Sequence, residues 1–159
     1  MTLTYDVTAE RAVLGAVMTG GEGVLAKVRA TGITADDFWS DRLRVVWCVA
    51  CGLADQGKPV DAILLLRELA DTGTLDAAGG SPAVTCLPSY CATLTNAPHW
   101  AGVVVELARR RRVIQLHSDS AAAAALGDWM THGDCMSGLL LACEAQPGAL
   151  ADRGGLHVA

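Results

Sequence analysis

The sequence has very few lysines, and this shortage excludes a large class of enzymes. Of its 159 residues, only Lys27 and Lys58 are lysine. Neither follows a loop of the form G-x-x-x-x-G-K-[ST], in which backbone amides and the lysine hold nucleotide phosphates. The motifs H-E-x-x-H and G-x-S-x-G, typical of metalloproteases and serine hydrolases, are also missing. We therefore predict that this chain is not an enzyme and binds no cofactor.

Charge and long apolar runs are scarce as well. Charged residues make up 18% of the sequence and the net charge is −5, which argues against a protein that coats nucleic acid by bulk electrostatics. Arginine, aspartate and glycine interrupt every apolar stretch before it could span a membrane. The N-terminus is acidic and has no basic segment of a signal peptide, so a cytoplasmic location is expected. Because 52% of the residues are apolar, the chain has enough material for a folded core.

Six cysteines are present, and the absence of a signal peptide favours free thiols over disulfides. Cys48 and Cys51 have the C-x-x-C spacing of metal and redox sites. A structural zinc site needs four ligands, and the remaining cysteines and histidines are poorly spaced for a second pair. A small cysteine-dependent metal or redox protein therefore remains an alternative function, while simple packing of these side chains is favoured. We predict no metal site.

The segment from Asp36 to Asp61 carries the clearest helical pattern. Gly57 predicts the end of this helix, because glycine readily adopts left-handed backbone angles. Asp61 is then expected to cap the next helix. The rings of Phe38 and Trp39 are expected to close a small core before the helix starts. Apolar side chains recur at the intervals that place them on one helical face, and this face comprises Leu43, Val46, Trp47, Ala50, Leu53 and Ala54.

The rest of the first 98 residues also favours helices separated by glycine and proline. They are expected over about 8–20, 23–30, 62–70 and 88–94. Gly79 to Pro82 are expected in a loop, and the residues of the 62–70 helix available for the core are Ile63, Leu65, Leu66 and Leu69. Gly15 costs a helix about 1 kcal/mol relative to alanine, which is tolerable if a neighbouring helix crosses close to it. No alternating pattern long enough for a sheet occurs. The predicted fold class is all-α, with a compact helical bundle over residues 1–98.

Beyond residue 98 the pattern changes to longer helices. One helix is predicted from Trp100 to Gly127, where a run of five alanines would allow a close helix contact. A second is predicted from Asp134, as its cap, to Ala145. Two such helices joined by a short loop form an antiparallel helical hairpin, which we assign to residues 99–147. Residues 148–159 are predicted to be a flexible tail.

Several motifs resemble the N-terminal domain of the DnaB-type replicative DNA helicases. Residues 9–15 follow the family pattern A-E-x-x-V-L-G, and Asp37 to Trp39 follow D-F-[YW]. Residues 57–61 follow G-x-P-V-D, and residues 103–114 resemble I-V-x-E-x-A-x-x-R-R-L-I. The order and spacing of these motifs are more specific than any one of them.

This resemblance implies a helical globule followed by a dimerisation-type hairpin. In that family, hairpins pair into dimers, three dimers form the collar of a hexamer, and primase docks on the collar. The resemblance therefore implies a non-enzymatic, replication-associated interaction module. This module would be a homo-dimer or higher homo-oligomer, and its partner would be primase, a replicative helicase ring, or both. The motor domain of the family would follow the end of this sequence. The implied interface residues are Val104, Glu106, Ala108, Arg111, Arg112, Ile114, Leu140 and Leu141.

The most conspicuous charged cluster is Arg109, Arg110, Arg111 and Arg112. It is a candidate contact for phosphate or for an acidic partner. Four consecutive residues point around a helix, however, and their aliphatic stems can cover apolar surface while the charges reach water. An Arg-cluster nucleic-acid binder is thus a further alternative, and direct DNA binding is not favoured because the rest of the chain is acidic. Arg109 and Arg110 also replace residues that are usually apolar in the family, which would alter the dimer contact.

Overall fold

The chain forms six α-helices in a computed structural model, which describes residues 4–144, the last two by their backbone alone. The helices are α1 (Val7–Arg29), α2 (Asp41–Asp55), α3 (Ala62–Asp71), α4 (Gly80–Thr85), α5 (Ala97–Ala125) and α6 (Trp129–Glu144). Short 3₁₀ turns cover Ala35–Asp37, Leu87–Tyr90 and Leu94–Asn96. No strand occurs between residues 4 and 144, and the all-α prediction is confirmed. In that same range, no helix is both long enough and apolar enough to cross a membrane.

The chain divides into two compact units, Met1–Ala108 and Arg109–Ala159. The division lies within α5. The sequence placed the boundary after residue 98 instead, in the first turn of that helix, and this assignment stays a prediction. The predicted tail over 148–159 lies outside the described residues.

The core of the first unit is built around α2. The predicted face of this helix is confirmed, because Leu43, Val46, Trp47, Ala50 and Leu53 are all buried and Ala54 is half-buried. These side chains pack with buried residues of α1 and α3 in one apolar cluster. Burying a side chain of this kind stabilises a fold by about 1.5–3 kcal/mol relative to leaving it exposed.

The two aromatic rings before α2 lie in different environments. Phe38 is fully buried, and its ring centroid lies 5.4 Å from that of Trp47. Trp39 is 48% exposed and stacks on Tyr5 at 4.1 Å, so the prediction that it closes the core is wrong. Successive side chains of an extended segment point in opposite directions, and Phe38 has extended backbone angles. Only one of the two rings can therefore face inward.

Helix α1 confirms the prediction made from its glycines. Its backbone leaves the helical region at Gly21 (φ 63°, ψ −152°), so two helical segments meet there as the sequence indicated. Gly15 lies against the turn Leu87–Tyr90, and a Cβ atom on it would stand 2.2 Å from the carbonyl oxygen of Leu87. A close approach at Gly15 is therefore present, but a short 3₁₀ turn makes it and not a neighbouring α-helix.

Four local predictions are wrong. The helix expected over about 88–94 is absent, and two short 3₁₀ turns, Leu87–Tyr90 and Leu94–Asn96, lie there. Ile63 is 83% exposed, because the buried face of α3 is formed by Leu65 and Leu69. The segment Gly79 to Pro82 enters helix α4 instead of a loop, with the proline in its first turn, where no helical hydrogen bond from its nitrogen is needed. Helix α6 starts at Trp129, five residues before the predicted start.

Candidate interaction surface

Two of the family-like motifs meet through a buried carboxylate. Glu10, from A-E-x-x-V-L-G, is 1% exposed. Its Oε1 accepts a hydrogen bond from the backbone amide of Trp39 at 2.7 Å, and its Oε2 accepts one from the amide of Ser40 at 3.2 Å. A carboxylate that accepts such hydrogen bonds stabilises backbone donors that a helix start leaves unsatisfied. Glu10 thus fixes the D-F-W turn to the first helix.

The motif G-x-P-V-D is a helix end followed by a helix start. Gly57 has a left-handed backbone (φ 67°), its amide donates to the carbonyl of Ala54, and the amide of Lys58 donates to the carbonyl of Leu53, both at 2.9 Å. This pair of bonds is the Schellman arrangement that closes a helix. The carboxylate of Asp61 then accepts from the amides of the second and third residues of α3, each at 2.8 Å. Both predictions for this motif are confirmed.

The second unit begins within α5 and contains α6. The turn between the two helices closes α5 at Gly127 (φ 71°), and Asp128 caps α6 through the amide and hydroxyl of Thr131 at 3.2 and 2.7 Å. These hydrogen bonds lower the pKa of Asp128, with the Thr131 hydroxyl the larger cause. The predicted cap at Asp134 was wrong, because Asp128 already supplies the start and helical residues continue through Gly133.

Hydrogen bonds join α5 to α6 inside the second unit. The Oγ of Ser120, which is buried, lies 2.9 Å from Nδ1 of His132. The Nε of Arg109 donates to the carbonyl oxygen of Ala142 at 2.8 Å. Arg109, where the family resemblance implied an apolar residue, is thus engaged with the backbone of the facing helix.

The second unit exposes seven large apolar side chains among its described residues. Trp129, Met136 and Leu140 follow one another at intervals of seven and four residues, so they form one stripe along α6. They are 68%, 45% and 63% exposed. Large exposed apolar patches on soluble folds mark sites of protein contact. Other exposed members in this unit are Ile114, Leu126, Met130 and Leu141.

The eight residues implied as an interface fall into different environments. Val104 belongs to the core of the first unit, and Ala108 is also buried. Ile114, Leu140 and Leu141 are exposed. Half-buried positions are Glu106 and Arg111, and Arg112 is exposed.

Sequence reasoning missed Trp129 and Met130, because it placed them in the loop before α6. The available signal was the cap Asp128 with Thr131 three residues later, a common helix start.

The arginine cluster does not present four equivalent charges. Arg109 and Arg111 are half-buried, while Arg110 and Arg112 are exposed. Each of the four takes part in an interaction within the protein. The environments agree with the expectation that consecutive residues point around the helix.

The cysteines give no support to a metal centre. Cys48 is exposed and Cys51 half-buried, as the helical pattern indicated, and both are free thiols. Burial raises the pKa of Cys51, which disfavours the thiolate that metal binding requires. Among residues 4–144, no three histidine, cysteine or acidic side chains are grouped closely enough to hold an ion. Cys143 lies outside the residues whose side chains are described.

Comparison with known sequences identifies the relatives of this chain. The DnaB-like helicase N-terminal domain family matches residues 2–106. The replicative DNA helicase DnaB of Leifsonia xyli is 30% identical over 111 residues, which is 70% of this chain and 24% of that protein. The replicative DNA helicase DnaC of Bacillus subtilis is 28% identical over 148 residues, 93% of this chain and 31% of that protein. The chain thus spans about a quarter to a third of these relatives.

Solved structures show the same fold. The N-terminal domain of DnaB helicase from Mycobacterium tuberculosis superposes with a TM-score of 0.80 at 24% identity, covering 87% of this chain and 99% of that one. A DnaB-like replicative helicase, described together with its interactions with primase, gives a TM-score of 0.69 at 19% identity, over 90% of this chain and 36% of that one.

Proposed function

Because this chain belongs to the DnaB-like helicase N-terminal domain family, we propose that it acts as a non-enzymatic protein-interaction module of DNA replication in the cytoplasm. It self-associates through the second unit and binds primase, a replicative helicase ring, or both. The matched family is the N-terminal domain alone, and one structural neighbour is described with its interactions with primase. These two findings support the assignment of a replication partner.

The single observation that carries self-association is the apolar stripe on α6. Trp129, Met136 and Leu140 place large side chains at one face of a short helical unit. Covering each such side chain in a contact is worth about 1.5–3 kcal/mol when its burial is complete. A second copy of the chain offers the same stripe, as a two-fold symmetric contact requires.

Light scattering behind size exclusion tests this self-association. The unmodified chain is expected to elute as a dimer or higher oligomer, and Leu140→Asp is expected to shift it toward monomer. Ile63→Asp is the matched control, because Ile63 is 83% exposed on α3 in the first unit. If both substitutions leave the mass unchanged, or if the unmodified chain is monomeric, the α6 stripe is not a self-association surface.

Partner binding needs a separate measurement. The chain is mixed with the C-terminal domain of primase and, in a second experiment, with the replicative helicase of its host. Co-elution with either partner is the expected result, and retention of binding by Leu140→Asp would place the partner contact away from the stripe. Failure to co-elute with both would refute the proposed role in replication while leaving self-association open to its own test.

A further inference from the structure

A cavity of about 240 Å³ lies in the first unit, between the start of α2 and the turn Leu87–Tyr90. Its apolar wall includes Val7, Leu43 and Leu87. Two arginines, Arg11 and Arg42, also line it, and no acidic side chain is among the residues around it. In a chain of net charge −5, two cations without a facing carboxylate form a locally positive site.

Arg11 is held in position by Tyr90. Its Nη1 donates to the hydroxyl of Tyr90 at 3.1 Å, and its guanidinium carbon lies 5.0 Å from the centre of the tyrosine ring. A guanidinium has five N–H donors, so a single bond to the hydroxyl leaves several of them available. The stacking contact orients the group without neutralising its charge.

The aliphatic stem of Arg42, an exposed residue, passes beside Gly79. Gly79 has a left-handed backbone (φ 95°), and a Cβ atom there would stand 3.3 Å from the Cδ of Arg42. The missing side chain therefore gives the arginine stem room to pass. Within residues 4–144, the guanidinium of Arg42 forms neither a hydrogen bond nor an ion pair. Its full donor set is available at the cavity.

We propose that this cavity binds a carboxylate carried on an apolar group about the size of an amino-acid side chain. Planar guanidinium donors match the geometry of a carboxylate, and charge-assisted bonds of this kind are roughly twice as strong as neutral ones. The apolar wall accommodates the body of the ligand. The volume is below the roughly 300–1,000 Å³ of sites for drug-sized molecules, which favours a ligand that places one small group in the cavity.

Such a group is presented either by a free organic acid or by the C-terminal residue of a peptide. All residues that line the cavity belong to the first unit. The proposal therefore stands independently of self-association through the second unit.

The test uses the full 159-residue chain, labelled with ¹⁵N, and two matched probe pairs. The first pair is N-acetyl-leucine and its amide, and the second is an acetylated tetrapeptide ending in leucine, as free acid and as C-terminal amide. Titration of a free acid is expected to shift the backbone amide signals of residues around the cavity. Each amide is expected to bind about tenfold more weakly or worse, because it lacks the charge that the guanidiniums recognise.

Substitution of one arginine supplies the matched control. Arg42→Gln is expected to weaken binding of the free acids about tenfold or more. Arg67→Gln removes one exposed positive charge outside the cavity and is expected to leave binding within about twofold. Thermal unfolding of both variants checks that they fold. Arg42→Lys keeps the positive charge but loses the planar set of guanidinium donors, and it is expected to bind the free acids with intermediate strength.

Each outcome decides the proposal. Binding of both acids, or of one alone, supports it and identifies whether a free molecule or a chain terminus is the source. Equal binding of acid and amide, equal behaviour of Arg42→Gln and Arg67→Gln, or no binding of either acid at millimolar concentration would overturn it.

Discussion

Replacing Gly15 by alanine is expected to destabilise this protein, although the same change a few residues away is expected to stabilise it. A Cβ atom at position 15 would stand 2.2 Å from the carbonyl oxygen of Leu87, whereas real Cβ contacts stay beyond 3.0 Å. The obstacle is backbone and cannot rotate away, so α1 and the turn Leu87–Tyr90 must separate by about 0.8 Å. Gly23 lies exposed in the second segment of α1, after the kink at Gly21, with nothing within 4 Å of the corresponding position.

The magnitudes follow from two opposing contributions. Alanine gains about 0.5–1 kcal/mol over glycine inside a helix, and Gly23→Ala is expected to show this gain alone. Overpacking costs about 1–3 kcal/mol where the surroundings must shift. For Gly15→Ala the overpacking cost exceeds the helical gain, and we expect a net loss of about 1–2 kcal/mol in the free energy of unfolding.

Urea and thermal unfolding, followed by far-ultraviolet circular dichroism, measure both variants. A change of 1 kcal/mol corresponds to roughly 4 °C in a domain of about 100 residues. Gly15→Ala is therefore expected to lower Tm by about 4–8 °C, and Gly23→Ala to raise it by about 2–4 °C. All proteins must be compared at one concentration, since self-association stabilises the folded state by mass action. An increase in Tm for Gly15→Ala would show that the close crossing at Leu87 is wrong.

Three further predictions concern the polar contacts of the first unit. Glu10→Gln is expected to lower the free energy of unfolding by about 1–3 kcal/mol, because two backbone amides lose a charged acceptor. The exposed control Glu22→Gln is expected to change it by no more than about 0.5 kcal/mol in the same urea titration. Asp61→Ala is expected to cost about 1 kcal/mol through loss of the α3 cap, and Asp61→Asn should recover most of it. The hydrogen bond from Arg29 lowers the pKa of Asp55 below its ordinary 3.8. The stabilisation that this ion pair gives the folded state is therefore present above pH 3.8, and it is lost as the pH falls through the pKa that Asp55 has in the folded protein. Arg29→Gln is expected to return the pKa of Asp55, measured by carboxyl-carbon NMR, toward 3.8, and an unchanged value would contradict the role of this ion pair.

Most of the accurate predictions depend on neighbouring residues in the chain. The end of α2 at Gly57 and the cap of α3 at Asp61 each involve hydrogen bonds between residues no more than five apart. The buried face of α2 follows from a helical period that the same segment carries. The predicted start of α6 was wrong although the capping residue is equally local. Asp128 and Asp134 are both acceptable helix caps, and the sequence does not show which of them starts the helix.

Predictions that depend on distant residues were less complete. Trp39 and Phe38 are adjacent and both aromatic, and their sequence does not show which one the core accepts. In the sequence, Glu10 is indistinguishable from an exposed helix carboxylate. Its acceptor role becomes visible only when α1 packs beside the turn that lies 29 residues later. Arg109 reads as surface charge until the backbone of α6 provides an acceptor 33 residues away.

The sequence by itself determined the all-α class, the family and most helix ends, because these depend on periodicity, capping and short motifs within one turn or two. The tertiary structure alone decided which ring is buried, which backbone amides donate to Glu10, which apolar side chains of α6 remain exposed and that Arg11 and Arg42 share a cavity. The physical reason is that burial and pairing depend on which segments pack together, and the chain must fold before those distances exist.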